Sequence, residues 1–304
     1  MDRNSVSLLL VSLAILTPSL GLTGSGSPIA AHSPWESWDR ETMGRAYNAA
    51  AAVPESAAMF KVWVERSKAF RAAHSEHLDV VYGPRERNRI DYYSAGPGTP
   101  VLAFLHGGWW QLRAKEDFAF LAESFVAEGI SVAMVGYPLA PDATMDEFVA
   151  DTHTAIRYLA GELPRLGGDP RHFVVSGWSA GGHLTTMVLE EPAVHAGVSI
   201  SGLFDLRPLL NSYINDKLKM DNTVAVRNSP QFHLPARSKR LELYVGANEL
   251  PEMIRQSQEF AAARKAAGLP AHFRALPGAN HYTMLDDLAS PDGELHRTVL
   301  SALR

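Results

Sequence analysis

One stretch limits what this chain can fold into more than any other. Phe173-Val174-Val175-Ser176 is an apolar, β-branched run of the kind that forms a buried strand. It meets Gly177-Trp178-Ser179-Ala180-Gly181, and a helical pattern follows through Gly182-His183-Leu184. A serine between Gly-x and x-Gly, with a strand before it and a helix after it, stands on a sharp turn with its Oγ clear of the sheet. Glycine is expected on both sides because a Cβ there would meet neighbouring backbone. The turn aims Ser179 at a helix N-terminus, where free N–H groups favour developing negative charge. A dinucleotide-binding turn does not fit, because Gly-x-Gly-x-x-Gly needs glycine where Ser179 stands.

The rest of the chain supplies the sheet that such a turn requires. Leu78–Tyr82 and Arg89–Tyr93 read as an antiparallel hairpin. Val101–Leu105, Ile130–Val135, Ala196–Ile200, Leu241–Val245 and His272–Leu276 read as short buried strands. Helical patterns at Asp117–Ala127, Met145–Leu159, Pro251 to near Gly268, and Leu295–Leu303 alternate with them. Thr144 is the expected N-cap of the second of these helices, and Gly167–Pro170 the turn before the serine strand. This alternation predicts an α/β fold: a mostly parallel central sheet, helices on both faces, and a small helical cap. Residues 35–75 form the N-terminal helical part of that cap, over the sheet edge or the site mouth. Residues 206–234 read as one long irregular insertion, a lid or binding segment.

The 304 residues suffice for one large core or a core plus a small cap. A net charge of −5 makes no electrostatic case for nucleic acid or an anionic membrane. The absence of cysteine removes thiol nucleophiles, disulfides and thiolate metal sites. Val6–Leu16 is apolar but too short to span a bilayer, so no stable membrane anchor is expected. With Ser19-x-Gly21 after it, the run reads as a signal-peptide core, which favours export over a cytoplasmic location. Gly24–Pro28 reads as a flexible linker. Residues 1–34 are therefore set apart from a single domain over residues 35–304.

A serine hydroxyl needs a base. In this arrangement the order along the chain is serine, acid, histidine. Of the twelve histidines, six follow Ser179. His183 lies on the turn's own helix and reads as a packing or hydrogen-bonding residue. His195 precedes a strand, His233 lies in the insertion, His272 is within a strand and His296 within a helix. His281 follows the last strand in Pro277-Gly278-Ala279-Asn280-His281-Tyr282, where such sites form. The acid should leave a strand end between the two. Glu249, in Gly246-Ala247-Asn248-Glu249-Leu250-Pro251, is favoured over Asp205, which then becomes a cap or loop anchor. Asp286 and Asp287 come after the histidine. His106-Gly107-Gly108-Trp109-Trp110 follows a strand, and with the N–H after the nucleophile its backbone can hold an oxyanion, through Gly107, Gly108 and Ala180. Trp109, Trp110 and Trp178 stand so close in sequence to the reacting carbon that at least one indole should wall the acyl side, favouring formyl or acetyl groups.

These stretches, with Arg255-Gln256-Ser257 and Asn280-His281-Tyr282, resemble the α/β-hydrolases related to arylformamidase and the hormone-sensitive-lipase-like esterases. The likeness runs from about Tyr47 to the C-terminus. It implies an α/β-hydrolase fold, a Ser179–Glu249–His281 triad, Tyr282 at the substrate pocket, no cofactor or metal, and a small-molecule ester or amide substrate. A homodimer is left open. Two positions depart from the family's usual pattern: Trp178 stands where histidine usually precedes the nucleophile, and Glu249 where aspartate is frequent. A general carboxylesterase and a non-catalytic binding protein are the alternatives; the latter usually lacks a triad residue, and none is missing here. A metal-dependent hydrolase finds no His-x-x-x-His or Glu-x-x-His pair with a third ligand nearby.

Overall fold

A computed structural model describes residues 34–304. The expected signal segment and linker lie outside the described residues. Trp35–Arg304 form one compact unit, opening with helices α1 (Arg40–Ala46), α2 (Ala49–Ala52) and α3 (Ser56–Ala73). The breaks are local. Asp39 and Asn48 cap α1 and α2 by accepting from the Thr42 and Ala51 N–H groups, and Val53-Pro54 stops the chain before α3.

The sheet has eight strands: β1 (Val80–Val81), β2 (Arg89–Tyr93), β3 (Thr99–Leu105), β4 (Ser131–Val135), β5 (Gly168–Trp178), β6 (Ala196–Ile200), β7 (Arg240–Gly246) and β8 (Ala271–Leu276). Their spatial order is β1-β2-β4-β3-β5-β6-β7-β8. β2 is antiparallel to β1 and β4, and every pairing from β4 through β8 is parallel. The C-terminal ends of β3, β5, β7 and β8 thus meet along one edge.

Strand periodicity sorts side chains into two buried layers. Val101, Ala103, Leu105, Phe173, Val175, Leu241 and Leu243 enter one. Helices α5 (Met145–Leu166), α6 (Ala180–Met187) and α9 (Pro251–Ala266) cover it with Phe148, Ile156, Leu184, Met253 and Phe260. Leu102, Phe104, Val174, Val198 and Ile200 enter the other layer. That layer lies under α3, α4 (Ala122–Ala127), α10 (Thr283–Ala289) and α11 (Glu294–Ala302), through Phe60, Phe125, Leu288 and Val299. With both faces covered, the strands can be apolar throughout. The fold is that of the α/β-hydrolases.

The structure adjusts several sequence expectations. The helix expected from Asp117 opens as a 3-10 stretch over Lys115–Leu121. α5 begins at the Thr144–Glu147 capping box, as expected, but runs to Leu166, because Leu163 and Leu166 continue its apolar face. The expected turn at Gly167–Pro170 shrinks to Gly167, at φ 86°, since Gly168 already pairs with Thr99. The 206–234 insertion is not irregular: it holds 3-10 turns at Arg207–Asn211 and Pro230–Phe232, with α7 (Asn215–Leu218) and α8 (Asn222–Arg227) between them. α3 covers a face of the sheet rather than its edge. Ser67 accepts from the Phe120 N–H and donates to the Asp117 carbonyl, and the Trp63 indole donates to Asp286.

Candidate active site

Ser179 follows β5 directly, at φ 58°, ψ −118°, a backbone conformation rare for a residue with a Cβ. Its N–H donates to the Ile200 carbonyl at 2.8 Å, which ties the turn to β6. The turn sits so close to β3 that a Cβ on Gly181 would stand 1.9 Å from the Leu105 carbonyl oxygen. α6 starts at Ala180, so its first free N–H groups border the serine.

The Gly107–Gly108 loop lies over this turn. A Cβ on Gly107 would come within 2.5 Å of the Trp178 ring, and Gly108 takes φ +120°. His106 is fully buried, stacked on Tyr137 with 4.3 Å between ring centroids. Its Nδ1–H donates to the Gly107 carbonyl at 2.7 Å, and the Tyr137 hydroxyl donates to the His106 carbonyl at 2.6 Å. In a trans peptide the C=O and the next N–H point opposite ways. Holding the Gly107 carbonyl toward His106 therefore aims the Gly108 N–H away from it. Burial drives the His106 pKa down to about 3, so the imidazole is neutral at physiological pH.

His281 follows β8 in a loop fixed by Asn280, whose Oδ1 accepts from the Tyr282 and Thr283 N–H groups at 2.9 and 3.0 Å. The His281 Nδ1–H donates to Glu249 Oε2 at 2.6 Å. That leaves Nε2 as the ring's base in the neutral tautomer. Glu249 has no exposed side-chain surface, and its Oε1 accepts from Gly246 N–H at 2.7 Å and Ser201 Oγ at 2.5 Å. Asp205 is turned elsewhere, forked onto the Arg207 guanidinium at 2.8–3.2 Å. Glu249 and His281 are thus brought together at the strand edge that carries Ser179, and Asp205 is the loop anchor.

The tryptophans divide. Trp178 is buried; its ring packs on His281 at 4.7 Å between centroids and its Nε1–H donates to the His281 carbonyl at 2.8 Å. It braces the His281 ring and its backbone. Trp110 is completely buried, edge-on to His183, and its Nε1 has no hydrogen-bond partner among the described residues. The indole therefore packs behind the loop and does not form a wall facing substrate. Trp109 is half-buried, edge-on to Tyr47 at 6.2 Å, and alone of the three keeps surface at the site. Tyr282 is buried among Phe60, Trp63 and Trp178.

His183 packs under Trp110 and donates from Nε2 to the Asn228 carbonyl at 2.7 Å; burial lowers its pKa to about 4. His233 bonds the Val226 carbonyl, His272 faces Glu242, and His296 stacks on Phe125. Sequence reasoning missed Ser201. Its signal was its place just after β6, between the strands that lead to Ser179 and Glu249. It also missed Tyr47 and Gln256. The Tyr47 hydroxyl donates to Glu252 at 3.0 Å and accepts from Gln256 at 2.8 Å, while Gln256 Oε1 receives the Phe204 and Asp205 N–H groups. Nothing local in the sequence marks that network.

Residues 91–195 match the BD-FAE family. Kynurenine formamidase of Danio rerio is 31% identical over 242 residues, covering 74% of this chain and 81% of that protein. An isoprenylcysteine α-carbonyl methylesterase of Arabidopsis thaliana is 25% identical over 260 residues, covering 74% and 61%. Among solved structures, a putative thioesterase from a Silicibacter species superposes with a TM-score of 0.76 at 27% identity, covering 85% of this chain and 98% of that one. The chain belongs to the kynurenine formamidase family of α/β-hydrolases, and it is a hydrolase of ester or formamide bonds.

Proposed function

We propose that Ser179 is the nucleophile of a Ser179–His281–Glu249 triad that cleaves small-acyl esters or aryl formamides through an acyl-enzyme. The observation that carries this reading is the 2.6 Å bond from His281 Nδ1 to the buried Glu249, on the strand edge where Ser179 is held at positive φ. His281 Nε2 takes the hydroxyl proton as Ser179 Oγ attacks the carbonyl carbon. The N–H groups of Gly108 and Ala180, with that of Gly107, hold the resulting oxyanion. His281 then returns the proton to the departing amine or alcohol. Water, deprotonated by the same imidazole, attacks the acyl-serine and releases the acid. Glu249 keeps Nδ1 protonated and stabilises the imidazolium. Trp109 limits the acyl side, so formyl and acetyl groups are preferred. The kynurenine formamidase relatives favour a formamide substrate, and the methylesterase relatives are the ground for a general esterase as the second reading.

A fluorophosphonate probe should label Ser179, and Ser179→Ala should lower kcat by about 10⁴- to 10⁶-fold. Near-normal turnover in that variant refutes the reading. N-formylkynurenine, aryl acetamides and a p-nitrophenyl series from formate to decanoate then rank the substrates. A fall beyond butyrate, relieved by Trp109→Ala, is expected; an optimum at octanoate in the wild type contradicts the small-acyl assignment.

A further inference from the structure

Two arginines of α9 are served differently. Arg255 forks onto Glu252 at 2.7–2.8 Å and also reaches Glu259. Arg264 is only 2% exposed, yet it makes no ion pair among the described residues. Its Nη2 donates to Ser238 Oγ at 2.7 Å and to the Pro270 and Lys239 carbonyls at 3.1 and 3.3 Å. The buried Nε has no partner among the described residues, and Nη1 has none either. Burial lowers the Arg264 pKa, and the charge of Glu190 offsets this only in part. The guanidinium stays charged all the same. A buried cation with unused N–H groups is costly unless something answers it.

That guanidinium borders a cavity of about 170 Å³. The cavity walls are apolar. Met187 and Leu189 come from the end of α6, Leu234 and Pro235 from the chain just after the Pro230–Phe232 turn, and Phe260 from one turn before Arg264 on α9. Phe260 is pinned by stacking on Phe204 at 4.4 Å between centroids, and Arg264 Cζ lies 5.8 Å from the centre of its ring. Glu190 is the acid at the rim; it is exposed and accepts from Ser238 Oγ at 2.5 Å. α6 has Ser179 at its N-cap and Met187 as its last residue, so the cavity lies about 12 Å along the helix from the candidate active site. No residue of the triad or of the Gly107–Gly108 loop lines it.

We propose that this cavity is a second binding site, which takes a short-chain monocarboxylate with its head on the Arg264 guanidinium and its alkyl chain against Met187, Leu234 and Phe260. A planar, charged group with unused N–H donors suits a carboxylate. The apolar walls favour an alkyl chain over a bare inorganic anion, and the volume holds only a few carbons. The occupant joins three elements: the helix that starts after Ser179, the chain leaving the insertion, and the helix that follows Glu249. The proposal is independent of the chemistry at Ser179.

The test uses butyrate, with butyramide as its uncharged counterpart and chloride as a bare anion. The Met187 methyl resonance, labelled with carbon-13 and assigned through Met187→Leu, reports on the cavity wall and not on the active site. Butyrate should shift it saturably and bind at least about tenfold more tightly than butyramide. Chloride at the same ionic strength should leave it in place. Arg264→Gln should bring the ratio of butyrate to butyramide near one. Leu234→Trp fills the cavity without touching the guanidinium and should abolish the response, which decides the matter if Arg264→Gln fails to fold. Saturating butyrate should raise the Tm of the wild type, by linkage, and leave that of Leu234→Trp unchanged. The proposal is overturned if butyrate leaves the Met187 signal in place, so that the cavity holds water only. Equal responses to butyrate and butyramide, or to butyrate and chloride, overturn it too, as does a response or a rise in Tm that survives Leu234→Trp.

Discussion

The inner and outer walls of the site are built by different means. The inner wall is the edge where β3, β5, β7 and β8 end. It is fixed by backbone approaching backbone: Gly181 under Leu105, Gly107 against Trp178, Gly246 N–H on Glu249. The outer wall is α1, the loop after Gly108, and the 206–234 insertion. It is fixed by polar side chains reaching across: Gln111 Nε2 to the Ile214 carbonyl at 2.7 Å, Arg40 to Asp216 at 2.7 Å, Asn211 to the Trp38 carbonyl at 3.1 Å. Steric exclusion at 2–3 Å admits no substitute. A surface hydrogen bond or ion pair is worth about 1 kcal/mol or less. The inner wall should therefore be intolerant and the outer wall adjustable.

The sharpest blow to the inner wall that leaves the fold intact is Glu249→Gln. Ser201 and Gly246 can still donate to the amide oxygen, but the amide N–H₂ would face His281 Nδ1 and favour the wrong tautomer. We expect kcat to fall about 10³- to 10⁴-fold, measured by steady-state kinetics on a p-nitrophenyl ester. Asp205→Asn should cost far less, because Asp205 serves only Arg207 and the local turn. If the two losses are equal, the inner wall does not end at Glu249.

Gly107→Ala comes next. The added methyl meets the Trp178 ring and the Trp178 carbonyl oxygen at 2.5 and 2.9 Å, so the loop must lift. Losing the aim of one oxyanion donor costs about 10²- to 10³-fold in kcat. A variant that folds and keeps more than a tenth of wild-type kcat would show that the loop is adjustable too.

This contrast also explains what the sequence could reveal. The places of Ser179 after β5, of Gly107 and Gly108 after β3 and of His281 after β8 were legible because tight turns at strand ends demand particular residues at fixed spacing. The two-layered sheet was legible from its apolar periodicity. The helices of the insertion were not, because α7 and α8 are too short to carry a period, and Asp221 capping Val224 N–H is visible only once the chain turns. Trp178 was one of three indoles expected to supply the acyl wall, and sequence proximity says nothing of direction. Its ring fills the space that Gly107 leaves open, and its N–H goes to the His281 carbonyl. Tyr47 meets Glu252 across more than two hundred residues, which no local pattern records.

Acid should weaken the inner wall before the outer. His106 and His183 both lie beneath the loop and the elbow helix, with pKa values lowered by burial to about 3 and about 4. In the unfolded chain each titrates near its ordinary 6.5. Each folded-state pKa is depressed, so stability is intact above about pH 6.5 and is lost as pH falls toward 4. At pH 5 the unfolded state gains about 2 kcal/mol from each histidine. Denaturant unfolding of His183→Asn should therefore lose about 2 kcal/mol less than wild type between pH 7 and pH 5, whatever its stability at pH 7. An unchanged loss over that interval would mean that His183 is hydrated in the folded state.

The smallest expected effects belong to the outer wall, and they decide whether it is a separate part of the machine. Arg40 and Asp216 are both more than half exposed, so the pair is screened and Arg40→Ala should change stability by less than about 0.5 kcal/mol. Gln111 is different in place, since it leaves the strained loop that begins at Gly108 and ends on the insertion at Ile214. Its side chain is part-buried, so Gln111→Ala strands the Ile214 carbonyl and should cost about 1 kcal/mol. That penalty falls on the anchoring of the insertion. Limited proteolysis within residues 206–234 should quicken while kcat on a small ester stays within about threefold. KM for a bulky aryl leaving group should rise, because the wall beside that group is less well held. If Gln111→Ala instead lowers kcat tenfold on the smallest ester, the pull from Ile214 is part of what aims the Gly108 N–H. The Gly107–Gly108 loop, our proposed oxyanion donor, would then be tensioned from both walls rather than seated on one.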